Sequence, residues 1–460
     1  MGSSGPFPPE IIEEIVHYLT HNWVGLGGPS EPPPPLGIFR TWRRIPGSAR
    51  YASVSKTWQD AVERETFADL RLDLGRLAEA DAILNRVPRR QKYVRTIRLN
   101  VVLPPRADNA VRRVATAEER KQNNRALQDT FEAFMSTLRY WTPGPPVKLS
   151  LDAFAVKDTG SRVEEAITSS ARAMYLSPLE LEDPERVLCR GPVKVVTEVT
   201  MERNMSFGIP ISGAAVCALL AGLPAAKKVF INWWDQGGNP KARSAFAHTL
   251  ANVTHPIDRF YIAGTYTQRN RQQPAQQTQQ CESKPDELSQ SLGVLSQRLY
   301  EISLYDVVVS DALFLQHSTA SEMASSAHWA CLKNFGLYYP PVTPSGERLF
   351  YPDPSIPDRR KAATVAGPAI QRRYLAAARA ALEMPLLKDM TLVAQLGCNG
   401  DWHKFWYNHD TRRGTAKVLW TSSSGFVPED EVLAAWREVP RKHSGVLELE
   451  VEILDDEDAV

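Results

Sequence analysis

Ala214-Ala215-Val216-Cys217-Ala218-Leu219-Leu220-Ala221, followed by Ala226-Lys227-Lys228-Val229-Phe230-Ile231, is the stretch that decides the fold. The first run reads as a short buried helix; it falls far short of the ~20 apolar residues that cross a bilayer. The second reads apolar-x-x-apolar-x-apolar. Its last two apolar positions alternate as a strand does, and the first closes the preceding turn.

Working outward, the same triplet recurs at Val94, Ile97, Leu99; at Val196, Val199, Met201; and at Ile257, Phe260, Ile262. It returns at Leu299, Ile302, Leu304; at Leu332, Phe335, Leu337; and at Leu387, Met390, Leu392. Helical stretches over Ser244–Ala251, Glu287–Ser296 and Gln371–Leu382 precede three of the copies. The central copies lie roughly 30–40 residues apart, longer than the usual leucine-rich repeat. Helix-then-strand units at that spacing predict an irregular leucine-rich-repeat-like α/β solenoid over 73–460, with a parallel sheet on one face. The competing reading is a generic α/β domain in which short apolar triplets arise by chance.

Composition is that of a folded protein: 43% hydrophobic and 23% charged residues, with 54 Lys+Arg against 53 Asp+Glu. That balance excludes a globally basic nucleic-acid coat or an acidic tail protein. The 34 prolines favour many short elements over a few long helices. Glu10, Glu13 and Glu14 stand where a signal peptide would be apolar, and Pro6 spoils a myristoylation signal. The five cysteines are odd in number and widely spaced, so a reducing compartment, cytoplasm or nucleus, is expected rather than a disulfide framework.

The N-terminus differs from the body. Ile11, Ile12, Ile15, Val16 and Leu19 recur at helical spacing behind Phe7-Pro8-Pro9-Glu10. A Pro/Gly-rich insert follows at about 22–47, with Pro32 to Pro35 in a row. A second helical pattern places Tyr51, Val54, Trp58, Ala61 and Val62 on one face, with Phe67 and Leu70 after it. Two such faces need something to cover them, the rest of the chain or another protein.

Phe7-Pro8-Pro9-Glu10-Ile11-Ile12-Glu13-Glu14-Ile15-Val16-His17-Tyr18-Leu19, with Tyr51-Ala52-Ser53-Val54-Ser55-Lys56-Thr57-Trp58 after it, resembles an F-box, assigned here to residues 6–72. The chain departs from the family in the length of the connection between the two halves. The resemblance implies a small all-α module that docks on a Skp1-type adaptor and, through it, on a cullin. It points to Phe7, Pro8, Ile11, Ile12, Ile15, Leu19, Tyr51, Val54, Ser55, Lys56, Trp58 and Val62 as the adaptor-binding residues. The body, with its Trp-rich stretch from Asp401 to Tyr407 and Val418-Leu419-Trp420, is similar to the C-terminal region accompanying F-boxes in many filamentous-fungal proteins.

Two interruptions are expected to be disordered loops: Gln-rich 267–285 and Pro-rich 340–368. Val446 to Ile453 alternates strictly and predicts a final strand with one buried and one acidic face. Its acidic side would shield a sheet edge.

There is no phosphate-binding loop and no nucleophile elbow. His17 and His21 sit one helical turn apart without a third ligand. Asp401, His403, His409 and Asp410 could supply a base or a metal site, but a packed aromatic helix or loop with exposed polar residues is the preferred reading. Cys217 and Cys331 read as core. Arg89, Arg90, Lys92, Arg95, Arg98, Arg106, Arg112, Arg113, Arg120 and Lys121 make a basic stretch, read as a solvated face before an acidic-peptide or nucleic-acid site. The expectation is therefore a non-catalytic substrate receptor of an Skp1-cullin-F-box ubiquitin ligase, with an unidentified protein substrate. It needs no cofactor or metal, and neither membrane nor nucleic acid is expected as a partner. A binding scaffold using its F-box for assembly is the alternative.

Overall fold

The apolar triplets become strands that share one register. The computed structural model describes residues 8–22, 43–44, 48–105, 115–142, 144–155, 178–201, 209–233, 239–264, 286–315, 328–352, 364–396, 402–422, 426–446 and 448–454. Two short strands, β1 (His21–Asn22) and β2 (Arg43–Arg44), pair where the Pro/Gly-rich insert begins and ends. The main sheet follows. Its strands are β3 (Asp69–Leu72), β4 (Thr96–Leu103), β5 (Val147–Ala155), β6 (Val196–Met201), β7 (Lys228–Trp233) and β8 (Arg259–Gly264). Next come β9 (Glu301–Tyr305) and β10 (Asn334–Tyr339), a separate antiparallel pair β11 (Phe350–Pro352) and β12 (Thr364–Ala366), then β13 (Asp389–Gln395), β14 (Trp402–Asp410), β15 (Thr415–Ser422) and β16 (Leu449–Leu454).

Twelve of these strands form a single sheet in chain order, from β3 at one edge to β16 at the other. Pairing is parallel from β3 to β13, antiparallel through β14 and β15, and parallel again at β16. Ile97, Leu149, Val199, Val229, Phe260, Ile302, Phe335 and Met390 are cross-strand partners in one continuous row. All are buried. The middle position of every triplet is thus one rung of the same ladder, and the first positions, from Val94 to Leu387, are buried beneath it. Two members escaped the pattern. Pro146 occupies the first position ahead of Leu149 and Leu151, and Phe67-Leu70-Leu72 reads as the tail of a helix until β3 joins the sheet.

Strand order equal to chain order has a consequence. Right-handed crossovers between successive parallel neighbours all return on the same side of the sheet. The helices pack in chain order: Leu74–Leu84 on Ala117–Leu138, then Pro184–Leu188, Gly213–Ala221, Pro240–Ala251 and Glu287–Ser296. Pro368–Ala381 and Asp430–Ser444 close the row. Their inward residues and one face of the sheet make one core. Along much of the other face the side chains are half-buried among the described residues. Along β4 the burial alternates residue by residue, as in a half-covered sheet and unlike the fully buried strands of doubly wound folds.

Several expectations are corrected. Residues 69–72 belong to the sheet, so the boundary at 72 cuts off the first strand. The segment 340–368 is no plain loop: Leu349 and Phe350 are buried and β11 pairs with β12. The segment 267–285 lies outside the described residues. Trp402–Asp410 is a strand, because His403, Phe405, Tyr407 and His409 alternate inward. Cys331 is exposed in the turn before β10, where its neighbour Leu332 takes the inward position; Cys217 is buried as expected. On β16 the apolar side is only half covered, with Ile453 44% exposed, since an edge strand has one neighbour. Lys417 bridges Glu450 (3.2 Å) and Glu452 (2.6 Å) on its acidic side.

Two buried arginines carry no sequence signal. Arg243 makes a forked bond to Asp286 (2.9 and 2.8 Å) and donates to the Val308 carbonyl at 2.9 Å. Arg373 donates to Asp311 (3.1 Å) and the Val309 carbonyl (2.7 Å), with Tyr339 beneath its guanidinium. Both pin the segment after β9. Charge-assisted, ring-stacked guanidinium is the form in which a buried cation is tolerated.

Candidate functional site

Helix α1 (Pro9–Thr20) and helix α2 (Lys56–Ala68) pack against each other at the N-terminal end of the chain. The Ser-Lys-x-Trp motif has a local cause. Ser55 is the N-cap of α2, its hydroxyl accepting the Trp58 backbone N–H at 3.3 Å, and Lys56 opens the helix toward water. Trp58 and Tyr51 lean together, ring centroids 6.4 Å apart. Ile12, Val16, Ala61 and Val62 are buried together, with Tyr51, Ala52 and Trp58 half-buried around them. This cluster is separate from the body's core. Glu13 and Arg64 form an ion pair across the two helices.

The residues expected to bind an adaptor therefore divide. Ile12 and Val62 are interior, each turned onto the opposite helix, and cannot themselves offer docking surface. Val54 is 62% and Ile11 42% exposed. Pro8, Ser55 and Lys56 are exposed, and Ile15, Tyr51 and Trp58 are half-buried. Phe7 lies outside the described residues, as does the side chain of Leu19. What remains on the outside of the described module is Ile11 on α1 and Val54 just ahead of α2, each a large apolar side chain left exposed.

The basic stretch finds most of its role here. Glu63 of α2 accepts from Arg90 (2.7 Å), Arg89 (3.0 Å) and Gln59 (3.1 Å), and Arg89 also pairs with Asp60 at 3.0 Å. Burial would raise the Glu63 carboxyl, but the hydrogen bonds and charges of Arg90 and Arg89, with Gln59, hold it below its ordinary value. Arg98 pairs with Asp69, and Arg95 donates to the carbonyls of Lys92 and Val94. Arg89 and Arg90 thus staple the module to the body, whereas Arg95 and Arg98 bond within the body. Arg106, Arg112 and Arg113 lie outside the described residues, while Arg120 and Lys121 are on the surface of helix Ala117–Leu138.

The histidine cluster is not an open site. His403 is fully buried, hydrogen-bonded to the Tyr374 hydroxyl (2.5 Å) and to Ser422 (2.7 Å), among Phe350, Phe405 and Phe426. Burial holds its pKa down to about 3, so it stays neutral. Asp410 caps its turn, accepting from the backbone N–H groups of Arg412 (2.9 Å) and Arg413 (3.2 Å). Asp401 lies outside the described residues. Among the described residues no group of three or more His, Cys, Asp or Glu is placed to hold a metal ion, and no helix is long and apolar enough to cross a membrane.

A family model described as a family of unknown function (DUF6546) matches residues 256–459. That span opens just before β8 and closes on β16, within one continuous sheet. No curated protein matches the chain. The N-terminal module lies outside the matched span, so its resemblance to the F-box rests on its own residues.

Proposed function

We propose that the chain is the substrate receptor of an Skp1-cullin-F-box ubiquitin ligase, an F-box module on a leucine-rich-repeat-like body. The observation that carries the reading is the separate two-helix core, which leaves Ile11 and Val54 exposed and Trp58 half-buried. Exposed branched apolar residues and large aromatics are what a partner's pocket takes up. The α2–Glu63–Arg90 joint supports the same reading, since a receptor must hold its target at a set distance from the bound conjugating enzyme. The chain then contributes positioning, and the bond-making belongs to its partners.

Co-expression with a Skp1-type adaptor tests this. Wild-type chain co-purifies, and Ile11→Asp with Val54→Asp weakens the complex at least about tenfold while far-ultraviolet circular dichroism is unchanged. A wild-type chain that never co-purifies with the adaptor overturns the proposal. Firm adaptor binding without ubiquitination of any captured partner moves the chain to the scaffold reading.

A further inference from the structure

On the sheet face away from the helices, a row of small side chains is bordered by large ones. Ser303, Gly336 and Thr391 share a row on β9, β10 and β13. Gly336 contributes no side chain, and a Cβ there would stand 3.1 Å from the Ser303 hydroxyl, so this row is floor. Tyr261 on β8 continues the row at one end and Trp406 on β14 at the other. Two residues along each strand, Tyr305 and Tyr338 stack with centroids 4.6 Å apart and planes at 17°. Tyr305 is 38% exposed, and Tyr261, Tyr338 and Trp406 are half-buried.

The opposite border carries Glu301, Asn334 and Asp389. Glu301 has Arg259 at 3.8 Å. Asp389 is different. It accepts from the Trp406 indole N–H at 2.6 Å and the Thr391 hydroxyl at 3.2 Å, both neutral donors. Among the described residues no cation forms an ion pair with it. Its charge stands uncompensated beside aromatic faces, whose own quadrupoles also favour a cation. Of the other cations on this face, Arg259 is taken up by Glu301, and Lys417, two strands from Asp389 in the same row, by Glu450 and Glu452; Lys404, on the far side of Trp406 along β14, opposes a cationic guest.

We propose that the row of Ser303, Gly336 and Thr391, bordered by Tyr261, Tyr305, Tyr338 and Trp406, receives a Lys or Arg side chain of a basic partner polypeptide, with Asp389 as its counter-charge. This deepens the receptor reading by naming the class of partner. Adaptor co-purification reads the helical module and peptide binding reads the sheet face, so either can fail without the other.

The test uses the full chain and fluorescently labelled hexalysine, with hexaglutamate as the opposite-charge control. Hexalysine binds and hexaglutamate does not. Asp389→Asn, which keeps an acceptor for Trp406, weakens binding at least fivefold. Tyr338→Ala does the same without changing the charge, and Lys404→Glu tightens it severalfold; a thermal melt confirms that each variant is folded. Absence of hexalysine binding overturns the proposal, as does equal affinity across wild type, Asp389→Asn and Tyr338→Ala. Preference for hexaglutamate overturns it in favour of an acidic partner held by Lys404.

Discussion

The helical module and the sheet body bury apolar residues on different scales. The module's interior is Ile12, Val16, Ala61 and Val62. The body's runs unbroken from Leu72 to Val439, with whole aromatic side chains such as Trp420 and Trp436 sealed inside. With so small a core, the module leans on what adjoins it: the Glu63 staple on one side and, in the proposed complex, an adaptor on the other. The body, with its far larger core, needs no such help.

The sharpest way to break this comparison is Ile12→Asp. A carboxylate in so small a core has no partner, so α1 and α2 should lose nearly all their hydrogen-exchange protection while the sheet keeps its own. Simultaneous loss in both would make module and body one cooperative unit.

A smaller effect separates the body by pH. His403 is held neutral in the folded chain, so the unfolded chain takes up the proton first, near its ordinary pKa of about 6.5. The stability tied to it is complete above that value and falls as pH drops toward about 3. Denaturant unfolding should show a loss on the order of 3 kcal/mol between pH 7.5 and 4.5. His403→Phe, though weaker at neutral pH because Tyr374 and Ser422 lose their partner, should lose distinctly less over that interval. Equal losses would remove His403 as the cause.

The smallest change concerns the joint. Glu63→Gln removes the charge that Arg89 and Arg90 share and should cost on the order of 2 kcal/mol, since both guanidinium groups remain partly in water. Faster proteolysis within Lys56–Ala68, with an unaltered melt of the sheet, is the expected readout. In the wild type the same joint holds above the ordinary carboxylate range and weakens as pH falls through the lowered Glu63 value.

Much of the body was legible because its signal is local. Val229 and Ile231, like Phe260 and Ile302, advertise a strand through alternation, and each preceding helix sets the spacing. Legibility ended where a side chain's role depends on a distant segment. Nothing near Arg373 announces Asp311 or the Val309 carbonyl. The capped helix Ala117–Leu138, with Thr116 and Glu119 bonded reciprocally, was hidden by its polar surface face. In the module, the helical spacing marked Ile12 and Val54 as equally apolar, and only packing separated interior from exterior.

The sequence by itself determined the repeating helix–strand unit, the two apolar helices ahead of it and the strands' inward residues, because hydrophobic periodicity is written residue by residue. Tertiary structure alone decided the order and register of twelve strands, the fate of the charged residues and the gathering of Tyr261, Tyr338, Asp389 and Trp406 onto neighbouring strands of one face. Those depend on pairing segments far apart in the chain, and pairing is settled by the free energy of the whole core, not by any short stretch of it.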